Sequence, residues 1–342
     1  MVLLFQQITL IVIRLLMIAL FILQTLAGVA QSNNAYYTSY DKIITGRFYF
    51  SQKYTSYQYR HDDESINIRY RPNTTLNMGV GATYKWATLN LAYGFGFLNR
   101  DEEKGKTRYL DLQTHLYGRK IIVDAFGQFY NGFYLDKGEL TPSIKGYYLR
   151  PDIKVRFLGA SGQYLFNHEK FSYRASFLQS EWQKKSAGSL LVGLEFFLGR
   201  TKADSAMVPS TLRGQTEETN LDQVNFAELG PNVGYVYTWV IRKHFFLTGQ
   251  ATVSLDYGTN TMMSNGESIR SSSFSPNSSL SFFAGYNSEK WALSFIFVNK
   301  NIGLASGSNR RIDFNTGNLR FNIVHRFVPR GKTKAVLKDV IR

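Results

Sequence analysis

Apolar and polar residues alternate with period two along most of the chain after residue 43, which is the repeat of a β-strand. In the stretch LNMGVGATYKWATLNLAYGFGF, residues 76–97, the apolar set occupies even positions such as Val80 and then odd positions such as Leu91. The parity changes once, at Lys85 and Trp86. If these two residues form a hairpin turn, all the apolar side chains fall on one face of the hairpin.

The alternation predicts strands throughout the chain and almost no helix. We place thirteen, at 43–60, 64–85, 87–98, 107–118, 120–131, 150–166, 170–182, 187–199, 230–242, 245–257, 277–286, 290–301 and 314–328. Many are long enough for tilted membrane strands. Because single-chain bacterial barrels have an even number of strands, one is miscounted. We expect 64–85 to be one strand bent at Pro72, and the missing strand to lie in 133–149 or 201–230.

The connections alternate between short turns and long polar loops, which is typical of outer-membrane barrels. The short turns are predicted at Lys85-Trp86, Arg119-Lys120, 167–169, Arg242-Lys243 and 287–289. The long loops are predicted at 99–107, 261–279 and 303–311. Residues 201–230 are the obvious candidate for a loop that folds inward and closes the interior.

The two ends of the chain help to indicate whether this sheet lies in a membrane. Residues 1–30 have the features of a secretory signal peptide: Arg14, an apolar run over Leu15–Leu23 and the small residues Gly28-Val29-Ala30 before the cleavage point. The alternative is a membrane-spanning anchor over Leu3–Leu26. No later apolar run reaches the ~20 residues of a spanning helix, so any later crossing is made of strands.

The predicted organisation is therefore a signal peptide over 1–30, a lead-in over 31–42, a β-barrel over 43–328 and a basic tail over 329–342. The last strand alternates Leu319, Phe321, Ile323 and Phe327 with polar residues. It resembles the C-terminal signal read by the barrel assembly machinery, which we expect as a partner during biogenesis. Fourteen residues follow Val328, so the match is imperfect.

Composition narrows the function classes. The chain has 342 residues, no Cys, a mean hydropathy of −0.22 and a formal charge of +15. Without Cys there are no disulfides and no thiolate metal sites, and no His, Asp and Glu cluster has metal-ligand spacing. We therefore expect no cofactor and no metal. The charge could suggest nucleic acid, but export and strand architecture argue against it. The expected acidic partners are outer-membrane lipid and lipopolysaccharide phosphates, met by Lys104, Lys106, Arg310 and Arg311.

Four segments together resemble a known family. They are RPNTTLNMGVGATYKW, LDLQTHLYGRKIIVDAFGQFY, RPDIKV and LFNHEKFSYRASFLQSEWQKKSAGSLLVG. This series is similar to the bacterial family called domain of unknown function 4421, over about Ile44 to Phe327, and the block ending in SAGSLLVG is the most specific part. The resemblance implies an outer-membrane barrel and transfers no activity or catalytic residue.

The fold class that follows is all-β: an antiparallel transmembrane outer-membrane β-barrel of about 12–14 strands. A soluble β-sandwich is the alternative. In a barrel, the set facing lipid is Met78, Val80, Leu89, Leu91 and Phe95, and the set facing the lumen is Asn77, Thr83, Thr88 and Asn90. The same parity makes the lumen-lining candidates Lys154, Arg156, Arg174, Glu195, Arg242, Asp256 and Arg320.

Three functions are compatible with such a barrel. The leading hypothesis is a passive channel or transport component with a mixed-charge, net basic lumen, and the alternative is a closed barrel serving envelope structure or assembly. A lipid-modifying enzyme is the third. Its only candidate residues are His115 and Asp124, which face each other if Arg119-Lys120 is a two-residue turn. No Ser is placed beside them by that pairing, so we expect a non-enzymatic protein.

Overall fold

A computed structural model describes residues 35–61, 66–85, 87–95, 97–98, 101–136, 139, 146–210, 212, 220–264, 266–304 and 310–328. The predicted signal peptide over 1–30 and basic tail over 329–342 lie outside these residues. No helix among the described residues is long and apolar enough to cross a membrane.

The described chain consists of fifteen strands, one short α-helix and a 3-10 turn at Glu102–Lys104. The elements, in chain order, are β1 (Tyr37–Ser39), β2 (Ile44–His61), β3 (Asn67–Tyr70), β4 (Asn77–Tyr84), β5 (Ala87–Gly94), β6 (Arg108–Tyr117), β7 (Ile121–Leu135), β8 (Tyr148–Leu165), α1 (Tyr173–Phe177), β9 (Glu181–Gln183), β10 (Ala187–Lys202), β11 (Leu221–Ile241), β12 (Phe245–Ser264), β13 (Glu267–Asn287), β14 (Trp291–Leu304) and β15 (Arg310–Phe327).

Twelve strands follow one another in a strongly curled antiparallel sheet, in the order β5-β4-β2-β15-β14-β13-β12-β11-β10-β8-β7-β6. The first long strand, β2, pairs with the last, β15, from Ile44 opposite Phe327 to His61 opposite Arg310. This pairing sets the two ends of the chain side by side within the sheet, and the strongly curled antiparallel sheet confirms the predicted all-β barrel fold. Strand β3 pairs beside it with β2.

The predicted single bent strand over 64–85 is wrong. Strands β3 and β4 both pair with β2, but the chain between them leaves the sheet. Arg71 exchanges two backbone hydrogen bonds with Tyr134 of β7, each 2.9 Å. Pro72 has no N–H to continue a ladder, so the chain is free to cross to β7 at this point. That contact joins the two sides of the curled sheet.

Three further predictions, two of strands and one of a long loop, are corrected. Most of the predicted strand over 170–182 is α1 and irregular chain, and only 181–182 belong to a strand, the short β9. The long loop predicted at 261–279 is wrong, because 261–264 end β12 and 267–279 belong to β13, with Ser264 paired to Glu267. No additional strand lies in the described parts of 133–149 and 201–230, because β7 extends to Leu135 and β11 begins at Leu221. Polar residues in these strand ends concealed their length.

The hairpin turns are as predicted at 85–86 and at 119–120, since Tyr84 pairs with Ala87 and Tyr117 with Ile122. The rim that carries these turns is called the short-turn rim, and the opposite one the long-loop rim. Outward residues of the β4–β5 hairpin are exposed, with Val80 57% and Leu91 61% accessible, whereas the inward Thr83 is 2% accessible. The predicted assignment of the two faces is therefore confirmed.

Exposed apolar side chains continue around the outside of the sheet as an apolar belt. It includes Leu110, Leu112, Leu158, Tyr164, Leu190, Val192, Leu194, Leu229, Val233, Tyr235, Val253, Leu255, Leu280, Phe295, Leu319 and Phe321. An exposed apolar surface of this extent is uncommon on a soluble protein.

The interior of the long-loop half is filled by an aromatic core, defined by Tyr57, Phe157, Phe197, Phe226 and Phe314. The Phe157 ring centroid lies 5.3 Å from that of Phe314 and 5.6 Å from that of Phe226. Residues 203–208 fold against this core, and Met207 and Val208 are fully buried there. The inward fold predicted within 201–230 is confirmed for these residues.

We expect Phe157→Ala to lower the free energy of unfolding by about 3–5 kcal/mol, because it empties a site that four other rings surround. Chemical unfolding of the refolded protein in detergent measures the change. The matched control is Leu158→Ala on the outer face, expected to change stability by less than about 1 kcal/mol since its side chain stays in detergent. Equal losses in both variants would mean that the aromatic core is not tightly packed.

Candidate functional site

Two of the predicted lumen residues, Lys154 and Arg156, lie on the outer face and are exposed. In this part of β8 it is the apolar residues, including Val155 and Phe157, that point inward. The assignment is corrected for a physical reason. Strand β8 extends beyond the apolar belt to the long-loop rim, where the barrel interior is apolar and the outside is polar. In this part of β8 the alternating apolar residues therefore face the aromatic core and not lipid.

Arg242 does not face the lumen, and Arg174 lies inside the barrel on a helix instead of on a wall strand. Arg242 is an exposed turn residue with φ 50° at the short-turn rim. Arg174 belongs to α1, inside the barrel end. Its guanidinium lies 2.8 Å from the Asp41 carboxylate and 3.5 Å from that of Glu181, and it donates to the carbonyl of Lys85 at 2.6 Å.

Glu195, Asp256 and Arg320 point inward as predicted. The Glu195 carboxylate lies 2.9 Å from the Lys300 amine and accepts from the Ser254 hydroxyl at 2.7 Å. Asp256 accepts from the Asn277 amide at 2.9 Å. The Arg320 guanidinium lies over the Tyr49 ring, 4.6 Å from its centroid. These groups are held by neighbours within the barrel.

A second inward ion pair was missed by the sequence analysis. The Lys53 amine lies 2.9 Å from the Asp111 carboxylate, which also accepts from Gln128 at 3.0 Å and from the Tyr130 hydroxyl at 2.8 Å. The parity of Phe48 and Phe50 on β2 is a signal that could have placed Lys53 inside. Together the two ion pairs and their partners form a polar belt between the aromatic core and the short-turn rim.

The short-turn rim is filled by an inner plug, defined as residues 166–186 between β8 and β10. Its helix α1 begins after Ser172, whose hydroxyl accepts from the Ala175 N–H as an N-cap. The Tyr173 hydroxyl donates to the Gln250 amide oxygen at 2.7 Å, and the Phe177 ring centroid lies 4.2 Å from that of Phe283. Gln250 and Phe283 belong to the barrel wall. The plug therefore packs against the inside of the sheet.

Glu181 holds the inner plug electrostatically. Its side chain is fully buried and its carboxylate accepts two hydrogen bonds from Arg119, at 2.9 and 3.2 Å. It also accepts from the Ser172 hydroxyl and lies near Arg174. Glu181 begins β9, which pairs with β1 of the lead-in. One buried carboxylate thus connects the plug to the β6–β7 turn.

His115 and Asp124 face each other across β6 and β7, as the predicted turn required. The His115 Nδ1 lies 2.5 Å from a carboxylate oxygen of Asp124, and the Tyr117 hydroxyl donates to the same carboxylate at 2.9 Å. No serine hydroxyl joins this group within the described residues. The arrangement is a hydrogen-bonded triplet of inward side chains beside the plug.

Other candidate chemistry is sparse. No group of three His, Asp or Glu side chains in the described part of the chain is arranged to hold a metal ion. Of the predicted phosphate-binding residues, Lys104 is paired with Asp101 at 3.0 Å and Arg311 is exposed. The side chain of Arg310 lies outside what the structure describes. Burial lowers the pKa of His168 in the plug, and the charge of Lys120 lowers it further.

The family described as domain of unknown function (DUF4421) has a model that matches residues 31–327. A search of curated proteins found none similar to the chain.

A search of solved structures matched outer-membrane proteins at low sequence identity. The outer membrane protease OmpT from Escherichia coli is 9% identical, with 87% of this chain and 100% of that chain covered and a TM-score of 0.39. OmpT of Vibrio cholerae is 9% identical over 82% and 98%, with a TM-score of 0.29. The Ralstonia pickettii toluene transporter TbuX is 12% identical over 82% and 90%, with a TM-score of 0.26. At these values no activity is carried over.

We expect Glu181→Gln to loosen the inner plug, because it removes a buried charge, leaves Arg119 without its carboxylate partner and leaves Arg174 with Asp41 alone. Limited trypsin digestion of the folded protein should then cut after Lys170 or Lys184 at least several-fold faster. Glu169→Gln, which changes an exposed plug carboxylate, serves as the control and should be cut at the unaltered rate. Unchanged digestion of Glu181→Gln would show that apolar packing alone retains the plug.

Proposed function

The chain belongs to the family described as domain of unknown function (DUF4421), and we propose that it is a closed outer-membrane barrel serving the structure or assembly of the cell envelope. On this proposal the barrel does not pass solutes in the conformation described. The proposal adopts the alternative from the sequence analysis in place of a passive channel.

Location in the outer membrane is supported by the exterior of the sheet. The apolar belt gives the barrel an outer surface suited to lipid, and the interstrand pairing from β4 round to β7 satisfies the backbone groups of those strands without water. Leu190 and Leu194 on β10 and Leu158 on β8 are examples of side chains that would otherwise stand in water. The predicted signal peptide over 1–30 is consistent with export.

Closure rests on one observation, the fully buried aromatic core. Phe157, Phe197 and Phe314 have no accessible surface, although they point into the barrel where a channel would carry water. The inner plug fills the opposite half. A solute would have to displace both, and apolar side chains in van der Waals contact leave no hydrated path between them.

The charge placement also argues against a basic selectivity lining. Lys154, Arg156 and Arg242 lie outside the interior, and Lys300 and Lys53 are each paired with a carboxylate. Ion pairing across a lumen closes it, whereas a selective pore keeps charges available to the passing ion.

We expect the protein purified from the outer-membrane fraction and inserted in a planar bilayer to show no single-channel steps. Deleting residues 168–184 should leave it silent, because the aromatic core still closes the other half. Combining that deletion with Phe157→Ala and Phe314→Ala should produce steps. Folding of each sample is checked by its heat-dependent mobility on gels. Stable steps from the unaltered, folded protein would overturn the proposed closure and restore the channel hypothesis.

We further propose that the His115 triplet is structural and that the protein is not a lipid-modifying enzyme. His115→Ala should lower the free energy of unfolding by about 1 kcal/mol, since one partly exposed hydrogen bond is lost. Lipid composition, measured by mass spectrometry in a deletion strain complemented with either form, should be the same. A lipid species restored by the unaltered chain and not by His115→Ala would contradict this and indicate catalysis.

A further inference from the structure

Four exposed cations are grouped on the outer face of β8 and β10. They are Lys154 and Arg156 on β8 and Arg200 and Lys202 on β10, and they are called the cationic cluster. The strand register sets Arg156 directly opposite Arg200 and Lys154 directly opposite Lys202. The register alone thus brings four positive charges onto one patch of the barrel wall.

Direct cross-strand pairing of like charges is destabilising in a sheet. Within the described residues, none of the four cations forms an ion pair. Arg200 donates to the Gln223 amide oxygen at 2.7 Å and Arg156 to that of Asn131 at 3.3 Å. Both acceptors are neutral, so the charge of the cluster is not cancelled.

The carboxylate nearest to the cluster along β8, that of Asp152, is already occupied. Asp152 accepts two hydrogen bonds from Arg150, at 2.7 and 2.8 Å, and one from the backbone N–H of Asp204 at 3.1 Å. Arg150 itself is buried against residues 205–207. Because this pair is committed to holding the loop after β10, it does not neutralise the neighbouring cations.

The cluster lies at the edge of the apolar belt. Leu158 and Leu198 form the pair immediately before Arg156 and Arg200 in the direction of the short-turn rim. Arg108 extends the basic edge, since it is exposed opposite Asn131, which in turn lies opposite Lys154. The basic side chains therefore begin where the apolar belt ends, on its long-loop side.

We propose that the cationic cluster binds the phosphate groups of a phosphorylated lipid in the outer leaflet. The proposal rests on the outer-membrane location proposed above, which puts the long-loop rim at the cell surface. Phosphate oxygens accept paired hydrogen bonds from the planar guanidinium groups of Arg156 and Arg200, and lysine amines add charge on either side. The acyl chains of the same lipid would lie along the adjacent apolar belt.

The lipid is a better occupant than a free anion because the two surfaces are adjacent. A soluble phosphate would use the cations alone, whereas a lipid phosphate is held at the height of the cluster by chains packed against Leu158 and Leu198. Exposed ion pairs are individually weak and are screened by salt. The apolar contact is therefore needed for lasting binding at physiological ionic strength.

The test uses the full folded chain in detergent, with native mass spectrometry to count bound lipid. The probes are diphosphorylated lipid A and its dephosphorylated form. Replacing two cations in the variant Arg156→Gln/Arg200→Gln should weaken binding of the diphosphorylated probe about tenfold. Binding of the dephosphorylated probe should be weak in every sample. The control Lys184→Gln/Lys185→Gln removes the same charge from exposed residues of the plug and should bind as the unaltered protein does.

Several results would overturn the proposal. Equal weakening in both double variants would show general charge attraction, and equal binding of both probes would show that phosphate is not recognised. Displacement of the lipid by an equal concentration of inorganic phosphate would identify a free-anion site instead. Heat-dependent gel mobility confirms that each variant is folded. Since binding is measured in detergent, failure here is distinct from failure of the closed-barrel proposal, which the conductance experiment decides.

Discussion

The need to fill the space inside twelve strands governs much of this structure. About eight strands enclose a volume that inward side chains can fill alone, and a wider barrel leaves a passage unless further chain enters it. Here the passage is filled from both ends. Large rings such as Phe157 and Phe314 meet across the long-loop half together with residues 203–208, and residues 166–186 occupy the short-turn half.

The aromatic core and the inner plug are stabilised by different interactions because their surroundings differ. The aromatic core is held by apolar contact, and its segment 203–208 is fixed to the wall by Arg150, which donates to the carbonyl of Ala206 at 2.8 Å. The inner plug lies beside the lead-in and carries a buried carboxylate, Glu181, which is bonded by Arg119 of the β6–β7 turn and lies near Arg174 of the plug's own helix. A buried charge with this many partners is costly to break and specifies one arrangement of the plug.

The outer surface changes character along a single strand. On β8 and β10 the outward residues are apolar near the short turns, as at Leu194, and basic toward the long loops, as at Arg200. The inward residues change in the opposite sense, from polar groups such as Glu195 to rings such as Phe197. Along each of these strands the apolar residues point outward near the short turns and inward near the long loops. The position of this change marks the edge of the apolar belt.

The sequence by itself determined the all-β antiparallel class, the hairpin turns at 85–86 and 119–120, and the pairing of His115 with Asp124. These follow from period-two alternation, which is local and fixes which residues share a face. It did not determine in every strand which face is interior, because burial depends on what lies beyond the strand. Lys154 and Arg156 were assigned to the lumen for that reason. Only the tertiary structure decided what fills the interior, since the aromatic core brings together rings from strands distant in sequence and the inner plug has no strand periodicity.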